Sequence, residues 1–461
     1  MTAAPDQGGG AATPAFDDVH PPSPALIDTC VHCGFCLPSC PTYVLWGEEM
    51  DSPRGRIYLM RAGLDQRLGM TEGFVRRFDA CLGCMACVTA CPSGVQYAPL
   101  IEATRGQIER RFPRSRADRL FRRAIFGLLP YPARLRIALA PLLLLQPMAR
   151  LLAGTGRSAA PPTAPRSSRM IDRLRALLEL APRVTWRMLF ARVPERTPAQ
   201  GDRRLTVGLL TGCVQRLMFP GVNDSTVRVL AAEGCDVVAP KTQGCCGALA
   251  LHAGRADEAR ASARRTIAAF EAAGVERIAV NAAGCGSSMK EYGALLADDP
   301  AWRERARAFA SRVRDVNELL SELDPPRAVR HAMTLRVAYH DACHLAHAQG
   351  VRQQPRDLLR SIPGVELVPF AEPDICCGSA GIYNLVEPGT ARDLGDRKAA
   401  HIGASRPDIV ATANPGCTLQ IAAAAKRAGR TLTIAHPIEI LDASIRSGRI
   451  DRMGEIGRAP A

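Results

Sequence analysis

The apolar positions of this chain change their pattern at about residue 204. Residues 53–78 carry apolar side chains at helical spacing behind Ser52 and Pro53, a pair that reads as a helix start. Further on, residues 124–152 and 171–193 alternate apolar stripes with arginine and predict amphipathic helices, the first broken by its prolines. Between them residues 154–168, rich in Gly, Ser, Pro and Ala, read as a linker. From residue 204 the pattern becomes short apolar runs separated by longer helical stretches. Runs at 205–210, 236–238, 277–280, 335–339, 365–368 and 409–412 predict strands; 222–232, 256–273, 391–403 and 419–428 predict helices. That alternation predicts parallel sheets in α/β units.

The second half is a duplication. Cys213 follows the first strand, Gly244-Cys245-Cys246-Gly247 the second, and Asn281-Ala-Ala-Gly-Cys285 the third. The same landmarks return as Cys343, Ile375-Cys376-Cys377-Gly378 and Ala413-Asn-Pro-Gly-Cys417, at offsets of 130, 131 and 132 residues. All of these cysteines follow strand ends, where open α/β sheets place their ligand sites. A disulfide between sequence neighbours needs a strained ring, so each Cys pair with a flanking Gly is better explained by metal binding. Cys213, Cys245, Cys246 and Cys285 would form one four-thiolate set, and Cys343, Cys376, Cys377 and Cys417 the other. Cys235 has no counterpart and reads as an ordinary buried cysteine.

Eight further cysteines lie near the N-terminus. Cys30, Cys33, Cys36 and Cys40-Pro, then Cys81, Cys84, Cys87 and Cys91-Pro, both follow C-x2-C-x2-C-x3-C-P, the ferredoxin spacing for [4Fe–4S] clusters. Three thiolates two residues apart let a tight loop wrap three corners of a cubane, and the proline ends the loop. By the crossover rule of two-cluster ferredoxins, Cys30, Cys33, Cys36 and Cys91 hold one cluster, and Cys81, Cys84, Cys87 and Cys40 the other. Structural zinc favours paired C-x2-C units instead. Arg54 and Arg56 are expected near the first cluster, either offsetting its charge or merely solvated, and His32 is expected to lie against its loop.

At 461 residues the chain has room for two or three domains with real cores. Seventeen cysteines without a secretory signal point to a reducing compartment. The net charge of +14 is concentrated: residues 101–200 carry twenty Arg, no Lys and six acids, leaving the remainder near neutral. Such a segment suits an acidic partner surface or anionic lipid. It lacks the interleaved aromatics of a nucleic-acid site, so nucleic acid is not expected. Leu174, Leu177, Leu178, Trp186, Leu189 and Phe190 lie beside Arg173, Arg183 and Arg187, a pattern that fits a membrane surface, a partner, or a connector covering its own domains. No run reaches the about 20 apolar residues of a transmembrane helix.

These motifs resemble known families. The repeat is similar to the cysteine-rich CCG domain of heterodisulfide reductases. The ferredoxin-type module joined to two such repeats resembles the iron–sulfur subunit of bacterial glycolate oxidase (glycolate dehydrogenase), through Pro53-Arg-Gly-Arg-Ile-Tyr58, Cys91-Pro-Ser-Gly-Val95, Gly244-Cys-Cys-Gly-Ala248, Lys290-Glu-Tyr-Gly293, Cys376-Cys-Gly-Ser-Ala-Gly381 and Ile438-Glu-Ile440. The resemblance implies two [4Fe–4S] clusters and FAD on partner flavoprotein subunits. It also implies electron flow from glycolate or D-lactate toward a membrane quinone, on the cytoplasmic side with peripheral membrane contact. The expected fold is multidomain, α+β with α/β. A tail (1–16) precedes a helical two-cluster domain (17–112) and a basic helical linker (113–203). Two CCG domains (204–330 and 331–450) and a tail (451–461) complete it.

One departure matters. The full CCG motif ends in C-x-x-C, but Ser288 and Gln420 occupy its last position here. Four cysteines per set suffice for a cubane, a depleted cluster or zinc, and the departure weighs against disulfide chemistry. His340, His344 and His347 flank Cys343, and His252 follows the first Cys pair; they read as hydrogen-bonded side chains rather than ligands. No residue constellation suits hydride abstraction, so the chain reads as an electron conduit without catalytic residues of its own. Alternatives are the iron–sulfur subunit of a glycerol-3-phosphate dehydrogenase-type complex, or a CCG enzyme acting on a disulfide or quinone.

Overall fold

The computed structural model describes residues 14–143 and 166–447. The expectations for the tail beyond residue 450, most of the N-terminal tail and most of the 154–168 linker lie outside these residues. Contacts divide the chain into two compact units, one of residues 1–83 and 87–113, the other of 84–86 and 114–461.

The first unit is helical. Pro41–Trp46 starts directly at the proline after Cys40, because a proline at the first helical position loses no intrahelical bond. Ser52 caps Pro53–Leu64 by accepting from Gly55 N–H at 3.0 Å. Gly55 is obligatory there: a Cβ would stand 2.0 Å from the Glu49 carbonyl oxygen. Thr71 caps Glu72–Asp79 in the same way. Rings of Phe16, Phe74 and Phe78 step across the interior at 5.9 and 4.8 Å, and Tyr97–Arg111 adds Leu100, Ile101 and Ile108 to this core.

The second unit holds the duplication as two sheets. The first runs β1 (Arg196–Thr197), β3 (Cys235–Val238), β2 (Leu205–Leu210), β4 (Arg277–Val280), β5 (Val313–Asp315); the second runs β7 (Val365–Leu367), β6 (Leu335–His340), β8 (Ile409–Thr412), β9 (Ile434–Ala435). All pairs are parallel except β1 with β3. Each repeat leads with its central strand, moves to one side, then reverses to the other. The crevice created by that reversal is where such sheets bind ligands. Three strands, β1, β5 and β9, escape the sequence pattern because two or three residues show no period.

The repeats share one core. Val207, Leu209, Val229 and Leu319 of the first cluster with Val337, Leu359, Ile438 and Leu441 of the second. Across this junction the buried Asp442 carboxylate accepts from Ser225 Oγ at 3.0 Å and Arg228 Nε at 2.9 Å.

In the basic segment the first helical stretch is broken by its prolines, as its sequence predicts, and the second is broken as well. Arg116–Leu128 and Pro132–Leu139 are separate, because Pro130 and Pro132 interrupt the backbone ladder. Arg166–Leu180 begins inside the stretch read as linker. It ends before Pro182, and Thr185 caps a new short helix, Trp186–Phe190. Phe121, Ile125 and Phe126 pack with Ile382 and Leu385 of the second repeat, and Leu135, Leu139, Val184 and Leu189 pack with Leu217 of the first. This segment therefore covers its own repeats, one of the three roles its composition allowed. Some arginines are structural: Arg122 and Arg173 converge on Asp118 at 3.0 and 2.7 Å. Ile171, Leu174, Trp186 and Phe190 remain exposed. No described helix is long and apolar enough to cross a membrane.

Candidate metal centres

In the first unit the fold sets Cys91 against the first cysteine run, and Cys40 against Cys81 and Cys87. Cys30, Cys33 and Cys36 line one small cavity with Cys91, Cys87 and Tyr97. Burial pushes the Cys30 thiol up, and Cys91 and Cys33 add to the rise. The other grouping joins Cys40 to the second run: burial drives Cys87 well above the ordinary thiol range, with Cys81 and Cys40 contributing. Cys84 is buried. Thiols this mutually unfavourable as anions are stabilised when a cationic metal centre takes their charge. The donor set fits the iron–sulfur clusters that its spacing implies.

Arg56 is not where the spacing suggested. It lies against the grouping of Cys40 and Cys81, while Arg54 serves the first loop. Arg56 is 1 % exposed; its Nη1 stands 3.9 Å from Cys40 Sγ, its Nη2 donates to Thr42 Oγ1 at 3.1 Å, and its Nε donates to the Arg77 carbonyl at 2.7 Å. Burial opposes its charge, but Cys81, Tyr97, Cys40 and Asp51 more than restore it. Reciprocally, burial raises Cys81, yet Arg56 and Arg105 outweigh burial and hold this thiol below its usual value. Arg54 donates to the His32 carbonyl at 2.9 Å and pairs with Glu49 at 2.6 Å. His32 itself is exposed, with a positive φ of 53°.

Each repeat assembles its four thiols from three strand ends. In the first, Cys213 Sγ lies 3.6 Å from Cys245 Sγ, Cys246 bridges Cys245 to Cys285, and Gly247 N–H donates to Cys245 at 3.5 Å. With donors from Cys213, Cys246 and Gly247 aimed at it, Cys245 sits well below the ordinary thiol range. Gly247 has φ 86°, a conformation that side chains strain, and a Cβ there would stand a tight 3.1 Å from Ser262 and 3.2 Å from Ala259. Tyr292 clamps the loop by donating to the Cys246 carbonyl at 2.6 Å.

In the second set Cys343 contacts Cys376, and Cys377 contacts Cys417. Asn414 Nδ2 donates to Cys417 Sγ at 3.4 Å. The sequence pattern did not single out Lys398, which is 2 % exposed and donates to the carbonyls of Glu372 and Pro373. Burial lowers its pKa, with Cys377 and Cys376 opposing that shift. The only sequence signal is a cation on a helix face otherwise buried. Cys235 sits within β3 in the apolar core, its thiol pushed up to about 11 by burial, and belongs to neither set.

The histidines divide. His347 contacts Arg352 at 2.8 Å and the Asp374 carbonyl at 3.5 Å; His344 Nδ1 lies 3.5 Å from Cys343 Sγ and its ring stands 4.9 Å from that of His252. His340 has one ring nitrogen within 4.8 Å of both Cys377 Sγ and Cys417 Sγ.

Comparison with known proteins identifies the domains that carry these cysteines. Residues 26–95 match a 4Fe–4S dicluster domain, and residues 207–290 and 337–422 each match the cysteine-rich CCG domain. A probable glycolate oxidase iron–sulfur subunit of Bacillus subtilis is 39% identical over 87% of this chain and 89% of its own. The glycolate oxidase iron–sulfur subunit of Escherichia coli is 34% identical over 91% and 95%. Lactate utilization protein A of Shouchella clausii is 29% identical over 52% of this chain and 99% of its own. With a dicluster domain, two CCG repeats and identity sustained along most of both chains, the protein has an iron–sulfur electron-transfer role and belongs to the family of glycolate oxidase iron–sulfur subunits.

Proposed function

We propose that this chain is the electron-transfer subunit of a complex that oxidises a small 2-hydroxy acid, glycolate or D-lactate, to its 2-oxo acid. A flavoprotein partner carrying FAD oxidises the substrate, and the electrons leave toward a membrane quinone. The observation that carries the reading is the crosswise grouping of the N-terminal cysteines. Cys30, Cys33, Cys36 and Cys91 would hold one [4Fe–4S] cluster, and Cys81, Cys84, Cys87 and Cys40 the other. Such clusters carry electrons singly, which lets a two-electron flavin feed an acceptor in steps. The protein's own part is to hold the thiolates in place and to set their electrostatics through Arg56, Arg105 and the loop amides. The names of the glycolate and lactate relatives support the substrate class. Cys213, Cys245, Cys246 and Cys285, and Cys343, Cys376, Cys377 and Cys417, would hold a further iron–sulfur centre or zinc. The exposed pair Trp186 and Phe190, stacked at 5.7 Å beside Arg183, Arg187 and Arg192, suits peripheral contact with an anionic membrane on the cytoplasmic side.

The test is Cys84→Ser in the assembled complex. Acceptor reduction should be lost while the flavin is still reduced by glycolate; loss of flavin reduction as well would overturn the relay role. Anaerobic metal analysis should find about eight irons from the two cubanes.

A further inference from the structure

Duplication gives most positions of one thiolate set a counterpart in the other, so a position where the chemistry differs is informative. β2 ends on Leu210, whereas β6 ends on His340 at the equivalent place. An apolar residue is therefore sufficient for this strand end to fold. His340 is 1 % exposed, its Nδ1 lies 3.0 Å from Thr412 Oγ1, and its Nε2 is buried with no hydrogen-bond partner among the described residues. A buried polar atom left unpaired costs about 1–3 kcal/mol, and buried polar groups are otherwise almost always satisfied.

The surroundings supply the missing partner by another route. One His340 ring nitrogen and the sulfurs of Cys377 and Cys417 all lie within 4.8 Å of one another, the spacing of ligands around a single ion. The Thr412 hydroxyl can accept from Nδ1–H, the kind of outer hydrogen bond that metal-bound imidazoles make, and in that tautomer the Nε2 lone pair is free. Asn414, donating to Cys417, orients that sulfur in the same way.

We propose that the second CCG repeat holds a mixed sulfur–nitrogen metal site in which His340 ligates beside Cys377 and Cys417, while the first repeat binds through sulfur alone. The ligand is a transition metal that accepts both thiolate and imidazole, iron or zinc. The inference rests on the reading that the CCG thiols hold metal. It adds that the two repeats are chemically unequal.

The experiment uses the full chain, purified anaerobically with its native metals. Fe- and Zn-edge X-ray absorption is combined with pulsed EPR of the reduced protein. A directly bound nitrogen should appear beside sulfur at the zinc edge, or as a 14N coupling to an iron centre; which of the two appears identifies the metal. The nitrogen signature should vanish in His340→Leu, which installs the first repeat's residue, and in His340→Cys, which should keep the metal with sulfur alone. Thr412→Val should weaken metal retention about 10–100-fold. A sulfur-only environment in the wild type, an unchanged spectrum in His340→Leu, or a chain with no metal beyond the N-terminal clusters would overturn the proposal. The N-terminal cluster signals should be unaffected throughout. Their absence from the wild type would instead overturn the electron-transfer reading.

Discussion

Replacing Arg56 by methionine removes one buried positive charge and retains most of the side chain's length. The guanidinium stands 3.9 Å from Cys40 Sγ and stabilises negative charge on Cys81. At an effective dielectric near 20, a unit charge at that distance interacts by about 4 kcal/mol, which for a one-electron couple is on the order of 180 mV. That is a ceiling, because charge gained on reduction spreads over the whole centre rather than residing on one sulfur. A fall on the order of 50–100 mV in the potential of the Cys40/Cys81 centre is therefore expected. Folding should survive at a cost of about 3 kcal/mol, since Asp51, which faces Arg56 at 3.6 Å, keeps its pairing with Arg77. An anaerobic redox titration followed by EPR would compare wild type, Arg56→Met and Arg56→Lys. The lysine variant should retain most of the potential, and the Cys30/Cys91 centre should move least. An unchanged or higher potential in Arg56→Met, or equal falls in Met and Lys variants, would refute the electrostatic argument.

Other perturbations test the repeats and the basic segment. Gly208→Ala places a Cβ 2.7 Å from Phe270 Cδ1, and that ring is fully buried; destabilisation of about 1–3 kcal/mol is expected in thermal or urea unfolding. Asp315 caps Val316–Glu322 through Asn317 N–H at 2.9 Å, and burial raises its carboxyl to about 6. A raised acid keeps its proton longer in the folded state than in the unfolded one, near 3.9. Its contribution is thus full below about 4 and is lost as pH rises through about 6. Asp315→Asn keeps the capping oxygen and should flatten the fall in melting temperature between about pH 4 and 6; an unaltered slope would show that Asp315 ionises normally. Trp186→Ser with Phe190→Ser should reduce co-sedimentation with anionic vesicles several-fold without changing the melting temperature, and undiminished sedimentation would exclude this pair as a membrane contact.

Much of the protein was legible in the chain because its chemistry is local. Cluster loops depend on spacing within a dozen residues, and the Cys runs show that spacing directly. The duplication was legible because its landmarks recur within two residues of a constant offset, and the central strands because apolar runs are long enough to show a pattern. The helix break at Pro182 was less clear than those at Pro130 and Pro132, since an amphipathic stripe continues through a residue whose backbone cannot.

Tertiary structure decided what depends on residues far apart. Arg54 and Arg56 are two positions apart on one helix, yet they serve different cysteine groupings because alternate helical positions face different neighbours. The basic segment resembles a free amphipathic surface until Phe121 and Ile125 are seen against Ile382 and Leu385. β1, β5 and β9 are strands only because a neighbouring strand completes their hydrogen bonds. His340 looks like any histidine beside a cysteine. Only when β6, the loop after β7 and the helix after β8 converge does its ring nitrogen meet Cys377 and Cys417. Spacing along a chain specifies ligands that one loop can gather; a site built from three strand ends exists only once the sheet has formed.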